Sequence, residues 1–256
     1  MNLIIPLTGN GSRFEVAGYK RLKPFIKIHD IEMICWVRSM FPKDVNTILI
    51  CRKEHYDKYL YVRNTLKNLI GKNIILKVDD WKKRGPAFDV LNDLPIDRDE
   101  EVLISYCDYF MKWSYKKFAH QIKSRKPDGA IPCYSGFHPH LFRKSNLYAS
   151  CRVDKQNYLK EIKEKHQFNV DKKNDLYSPG IYYFKSYKIM EHYVNQMIDN
   201  KNHINSEYYL SLPYNYMVKD GLKVWCPNDV KYFCQWGTPH DLEEYLYWNK
   251  CIEGWK

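Results

Sequence analysis

Residues 1–25 read MNLIIPLTGNGSRFEVAGYKRLKPF, and this stretch decides the fold class. An apolar run, Leu3 to Leu7, feeds straight into Gly9-Asn10-Gly11-Ser12-Arg13-Phe14. A short polar stretch then leads to Lys23-Pro24. A strand that ends in a glycine-rich loop presents clustered backbone N–H groups to an anion. Arg13 is suited to hold phosphate oxygens bidentately, and Lys23 adds a mobile point charge. A polyphosphate is the anion these groups suit. The loop is not the dinucleotide fingerprint, because Arg13 falls just after the second glycine and no third glycine follows at the right spacing. It is not a Walker loop either, since GK[ST] is absent. Taken alone, it reads equally well as a tight strand-to-helix turn without a ligand.

Beyond this opening, apolar strands alternate with amphipathic helical segments, the pattern of an α/β protein with a mostly parallel sheet. Strands are predicted at Asn2–Leu7, Thr47–Cys51, Ile74–Val78 and Glu101–Tyr106. Helices are predicted at Glu32–Phe41, Lys53–Leu69 and Trp113–Ser124, with a short one opened by Gly85-Pro86-Ala87. The second half is more mixed. Strands are expected at Gly129–Cys133, Leu147–Val153, Tyr158–Lys163, Ile181–Lys185 and Leu222–Cys226. Helices are expected at Tyr187–Asp199, Ser206–Lys219 and Thr238–Asn249, the last with Thr238 as N-cap and Pro239 in its first turn. No internal repeat or Pro/Gly linker divides the chain. A single domain over 1–256 is therefore expected.

The chain has 256 residues, 45% of them hydrophobic, enough for a sizeable core. No apolar stretch approaches the roughly 18 to 20 residues needed to cross a bilayer. Leu3 to Leu7 is too short for a signal peptide and no basic region precedes it, so a cytoplasmic protein with no membrane partner is expected. The net charge of +11 raises nucleic-acid binding. The basic residues, however, run along the whole chain with acidic ones interleaved, and a field that attracts phosphorylated small molecules fits as well. No nucleic-acid partner is expected. Eight cysteines are scattered without a CxxC pair, which argues against zinc and thioredoxin-like sites and for reduced core residues. The sequence is compatible with a homo-oligomer and does not fix its state.

Asp108 closes the strand EVLISY after one cysteine. In open α/β sheets ligands bind beyond the carboxyl ends of strands, where a carboxylate is placed to hold magnesium against phosphates. A turn aspartate is the plainer reading, and Asp79 and Asp80 also follow a strand. Glu161-Ile162-Lys163-Glu164-Lys165 alone reads as a solvated charge run. His138 and His140 flank Pro139 without further ligands at zinc spacing.

Together these segments resemble the sugar-phosphate nucleotidyltransferase family, nearly end to end. IIPLTGNGSRFEVAGYKRLKPFIKI (4–28) resembles the family opening. RGPAFDVL (84–91) resembles the segment that reads the nucleobase with backbone groups, and ISYCDYF (104–110) the strand that delivers the metal aspartate. IKEKHQF (162–168), SPGIYYFKS (178–186) and INSEYYLSLPYNYMVKDGLKV (204–224) resemble elements of the acceptor pocket. WGTPHDLEEYL (236–246) resembles the closing helix.

The resemblance implies a Rossmann-like three-layer α/β/α sandwich of glycosyltransferase-A type with a mixed, mostly parallel central sheet. The nucleotide-binding half would span about 1–125 and the acceptor-binding half about 126–256. It also implies a reaction: an acceptor phosphate attacks the α-phosphorus of a nucleoside triphosphate and pyrophosphate leaves. Arg13 and Lys23 would be catalytic. Leu7, Gly9, Asn10, Gly11, Ser12, Gly85, Pro86 and Ala87 would bind the nucleotide. Asp108 would bind Mg2+. Glu164, Lys165, Gly180 and Glu207 would bind the phosphorylated acceptor. Where many family members carry a second metal aspartate, this chain has Gln235, so either Asp241 or another acid substitutes, or one carboxylate and phosphate oxygens suffice. Similarity to capsule-biosynthesis members implies CTP and L-glutamine phosphate as the substrates. A sugar-1-phosphate nucleotidyltransferase taking a hexose or heptose phosphate, and a glycosyltransferase using a nucleotide sugar, remain alternatives; the latter lacks support from a DxD motif, since Asp108 is followed by Tyr109-Phe110.

Overall fold

The computed structural model describes residues 1–9, 11–79, 85–91, 93–142 and 146–253. Seven strands form the main sheet, in the spatial order Val224–Trp225, Gly129–Ala130, Ile181–Phe184, Val102–Ser105, Asn2–Pro6, Thr47–Arg52 and Ile74–Asp79. All neighbouring pairs are parallel except the two made by Ile181–Phe184, which runs against both of its neighbours. In the first strand Leu3 faces Thr47 on one side and Leu103 on the other.

Every residue of Asn2–Pro6 is buried, as expected of a central parallel strand covered on both faces. Because side chains alternate across a strand, Leu3, Ile5 and Leu7 enter one core and Ile4 the other. The first core is covered by Ile34 and Val37 of the helix Met33–Ser39, Val62 and Leu66 of Leu60–Leu69, and Phe118 and Ile122 of Tyr115–Arg125. The second is covered by Met190, Val194 and Met197 of Tyr187–Asp199 and by Tyr214 and Met217 of Pro213–Lys219. Helices on both faces of one mixed sheet make the three-layer α/β/α sandwich. Each fully buried aliphatic side chain contributes about 1.5–3 kcal/mol.

A smaller cluster matters more for the site. Phe14, Ile26 and Met33 pack with Trp236 and Leu242, so the N-terminal loop leans on the C-terminal helix Pro239–Glu253. Thr238 caps that helix by accepting from the Asp241 N–H at 3.2 Å.

Three expectations are corrected. The helix expected over 53–69 is two, Lys53–Lys58 and Leu60–Leu69, separated by an extended Tyr59. Arg63 stabilises the break by donating to the carbonyls of Tyr56 (2.8 Å) and Asp57 (2.6 Å). The helix expected over 206–219 begins only at Pro213. Proline has no N–H with which to continue a helix from upstream and suits a first turn. Before it, Asn205 and Ser206 both have positive φ, and Ile204 and Glu207 exchange backbone hydrogen bonds. Finally, the strands Tyr109–Lys112 and Tyr232–Gln235 were not anticipated; they pair antiparallel, with Tyr109 opposite Gln235.

Candidate active site

A cavity of about 540 Å³ opens at the end of the sheet where the first strand delivers its glycine loop. Gly9, Gly11, Ser12 and Arg13 line one wall with Lys23, Gly85, Pro86 and Asp108. Glu164, Lys165, Gly180 and Glu207 line the facing wall. Leu7 and Ala87 are fully buried in the two cores and do not face the cavity. Asn10 lies outside the described residues, as does Asp80. Asp79 ends the edge strand Ile74–Asp79 and does not line the cavity.

Gly11 holds the loop tight against the second cation. Its φ is +64°, and a Cβ there would lie 3.0 Å from the Cβ of Lys23. The Lys23 ammonium lies 2.8 Å from Asp108 Oδ2, with the two side chains 21% and 20% exposed. Burial works against the Lys23 charge, but the Asp108 carboxylate outweighs it, so the ammonium is held more firmly than usual. Arg13 is exposed on the cavity wall and its charge bears on both Lys23 and Tyr209.

The pairing of Tyr109–Lys112 with Tyr232–Gln235 carries Gln235 to Asp108. The Trp236 N–H donates to the Asp108 carbonyl at 3.1 Å. A Cβ placed on Gly237 would meet Gln235 Nε2 at 2.7 Å and Asp108 Oδ2 at 3.1 Å, so both side chains crowd one glycine. Asp241 is buried and directs Oδ2 to the Thr238 hydroxyl at 2.5 Å, which caps its own helix and leaves the cavity to Gln235. Beside Gly237 the side chains at hand are therefore one carboxylate, Asp108, and one amide, Gln235. Magnesium favours hard oxygen donors and keeps several waters or phosphate oxygens of its own, so this sparse pair fits it.

The facing wall has a different character. Glu164 accepts from the Ser211 hydroxyl. Burial pushes its carboxyl up to about 7, against the pull of Ser211 and Lys165. Lys165 has φ +54°, donates its N–H to the Tyr148 carbonyl at 3.0 Å, and lays its ammonium 5.5 Å from the Tyr209 ring centre. Tyr209 donates to Glu207. Gly180 (φ +99°) leaves room for Tyr106, whose Cδ2 would be 2.8 Å from a Cβ at that position. Tyr106, Tyr182, Tyr208 and Ser178 also line this wall and were not singled out from sequence. Each lies within a stretch that resembles a family site element (104–110, 178–186 and 204–224), but the resemblance did not pick out these side chains.

The fold is that of the nucleotidyltransferases. The structure superposes on a nucleoside-diphosphate-sugar pyrophosphorylase from Vibrio cholerae with a TM-score of 0.77 and 19% identity, over 96% of this chain and 99% of that one. The inositol-1-phosphate CTP transferase from T. maritima gives 0.65 and 16% identity, over 96% and 93%. HddC from Yersinia pseudotuberculosis gives 0.63 and 17%, over 96% and 98%. No protein-family model and no curated protein matches the sequence. Among the described residues no helix is long and apolar enough to cross a membrane.

Proposed function

We propose that this protein is a nucleotidyltransferase that joins a nucleoside triphosphate to a phosphorylated small metabolite and releases pyrophosphate. One observation carries the reading: the glycine loop, Arg13, Lys23 and Asp108 face Glu164 and Lys165 across a single cavity. Two cations on one wall and a third on the other suit two phosphorylated substrates approaching each other. The nucleotidyltransferase fold and the family resemblance of the motifs support it.

In this reading the acceptor phosphate oxygen forms the new bond to the α-phosphorus, and the bond from that phosphorus to the β-phosphate oxygen breaks. Arg13 and Lys23 neutralise the charge on the departing pyrophosphate. Gly9, Gly11 and Gly85 position the nucleotide, joined by Asn10 and Ser12 in the loop. Pro86 shapes its wall, while Leu7 and Ala87 act from the core behind it. Lys165 holds the acceptor phosphate, and Glu164, Glu207 and Gly180 shape the rest of its pocket. Asp108, helped by Gln235, would hold Mg2+, which supplies charge neutralisation for the triphosphate. Residues 1–125 and 126–256 then act as two halves of one domain.

The finer assignment we propose is CTP with L-glutamine phosphate, giving a CDP-activated metabolite for a capsular or other surface polysaccharide. It is supported by resemblance to capsule-biosynthesis enzymes and by two carboxylates, Glu164 and Glu207, in a pocket able to face an ammonium group. The setting we propose is the cytoplasm, without nucleic-acid or membrane partners. Incubation with each nucleoside triphosphate, Mg2+ and a panel of phosphorylated acceptors, with pyrophosphate as readout, tests both levels. Pyrophosphate with CTP and glutamine phosphate alone supports the finer assignment. Release with a hexose or heptose phosphate replaces the acceptor and keeps the class. No release with any pair refutes the class.

A further inference from the structure

Cys133, Cys151 and Cys226 are distant in sequence, yet their three Sγ atoms all lie within 4.8 Å of one another. Cys133 Sγ is 3.9 Å from Cys151 Sγ. All three are buried and none forms a disulfide. They come from separate pieces of backbone that the sheets hold in place. Cys133 follows Gly129–Ala130 and donates its N–H to Pro227 O at 2.7 Å. Cys226 follows Val224–Trp225 and donates its N–H to Asn157 O at 2.8 Å. Cys151 sits inside Ser150–Val153, opposite Ile162 on one side and Leu176 on the other. The sulfur positions are thus set by strand pairing.

We propose that this triad is a binding site for a soft d10 cation of the class of Cu(I) and Zn(II), held by three cysteine sulfurs. The spacing is the first argument. With metal–sulfur bonds of ~2.3 Å, sulfurs around one ion stand roughly 3.8–4.0 Å apart. The 3.9 Å separation of Cys133 and Cys151 matches that spacing. A disulfide would need the same two atoms to close to ~2.05 Å and would leave the third sulfur unused.

Donor chemistry is the second argument. Sulfur-only ligation selects soft ions and rejects the hard Mg2+ that suits Asp108, so the two sites would not compete. Among the described residues no further His, Cys, Asp or Glu joins the cluster, so the chain supplies three sulfur ligands. Hydrogen bonding from the Cys133 and Cys226 thiols lowers Cys151, while burial raises those two. Each thiol that becomes a ligand releases one proton, and nothing is oxidised.

The consequence is mechanical. Cys151 lies on the strand paired with Leu159–Lys163, which leads directly to Glu164 and Lys165. A bound ion would fasten that hairpin to the edge of the main sheet. This inference stands apart from the proposed reaction.

The test uses the reduced full-length chain under anaerobic conditions, with Cys35, Cys234 and Cys251 replaced by serine, since these three are only partly buried. Cu(I) and Zn(II) are titrated separately against chromophoric competitors. The expected result is one ion per chain with a sulfur-to-metal charge-transfer band for Cu(I), the same in Asp108→Asn. Binding should weaken at least a hundredfold in Cys151→Ser and in Cys226→Ala, each shown to be folded by circular dichroism. If Cys151→Ser does not fold, Cys226→Ala and Cys133→Ala, which remove only a sulfur, decide. Retention of neither ion overturns the proposal, as does retention that survives removal of the triad sulfurs.

Discussion

Lys23 and Asp108 are 85 residues apart in sequence and meet as an ion pair of 2.8 Å in the wall of the cavity. The pair joins the end of the N-terminal loop to the segment that follows a neighbouring strand. The carboxylate thereby holds the ammonium in its charged form before any substrate arrives. A triphosphate and its metal would have to divide this pair between them, the lysine taking phosphate oxygen and the aspartate taking the cation.

Replacing Asp108 with Asn should abolish pyrophosphate release while leaving the thermal melt close to wild type. Without the carboxylate, the burial that works against the Lys23 charge loses its main opponent, so the Lys23 titration followed by NMR should move to lower pH. Near-normal turnover in Asp108→Asn would rule out the metal assignment.

Arg13→Ala should lower kcat/KM by the equivalent of about 3–4 kcal/mol, the scale seen when one donor to a developing oxyanion is removed. The side chain is exposed, so the melting temperature should barely move. A loss under tenfold would mean that the loop only turns the chain.

Glu164 should impose a pH dependence with a definite sign. Its carboxyl is raised from the ordinary 4.5 to about 7, so the folded state prefers the protonated form. The stability this contributes is complete at low pH and is lost as pH rises from the ordinary carboxylate range through about 7. Thermal melts of wild type against Glu164→Gln should therefore diverge across that interval, the variant gaining relative to wild type as pH rises. The acceptor KM should show an inflection near pH 7 in wild type and none in the variant. Parallel curves for the two proteins would sink this assignment.

Gly180→Ala should be costly in two ways. The residue has a φ of +99°, and the added methyl would collide with the Tyr106 ring at 2.8 Å. A destabilisation of about 1–3 kcal/mol is expected in urea unfolding, as for other residues forced into sparse backbone regions. Displacing Tyr106 should also raise the acceptor KM more than that of the nucleotide. An unchanged midpoint would show that the ring swings aside freely.

The central strands were legible because each is a short apolar run of the kind a doubly covered parallel sheet needs. Asn2–Pro6, Thr47–Arg52 and Ile74–Asp79 are continuous apolar or near-apolar runs, and each lies within a residue of its expected place. That the glycine loop and Asp108 line one cavity was legible because clefts in such sheets open beyond the strand ends. The role of Gln235 was only half readable. Its neighbourhood depends on the pairing of Tyr109–Lys112 with Tyr232–Gln235, a contact between segments more than a hundred residues apart. The three clustered cysteines were hidden for the same reason. Burial and long-range pairing bring them together, and no local spacing records it. The helix expected over 206–219 is cut short at a local signal, Pro213, which opens the helix and cannot continue one from upstream.

Ile181–Phe184 runs against both neighbours, so the chain enters it at the edge where Val102–Ser105 leaves. Gly180 accordingly stands beside Tyr106, and the hairpin that supplies Glu164 and Lys165 returns to the same rim. This reversed strand is a seam. On one side the glycine loop is anchored by parallel strands and the C-terminal helix; on the other, the rim is built from the excursion of the chain between residues 131 and 180, joined by Glu207 and Tyr208 from the segment before Pro213. Lengthening or reshaping that excursion would alter what the far wall recognises, while the loop bearing Arg13 kept its own supports.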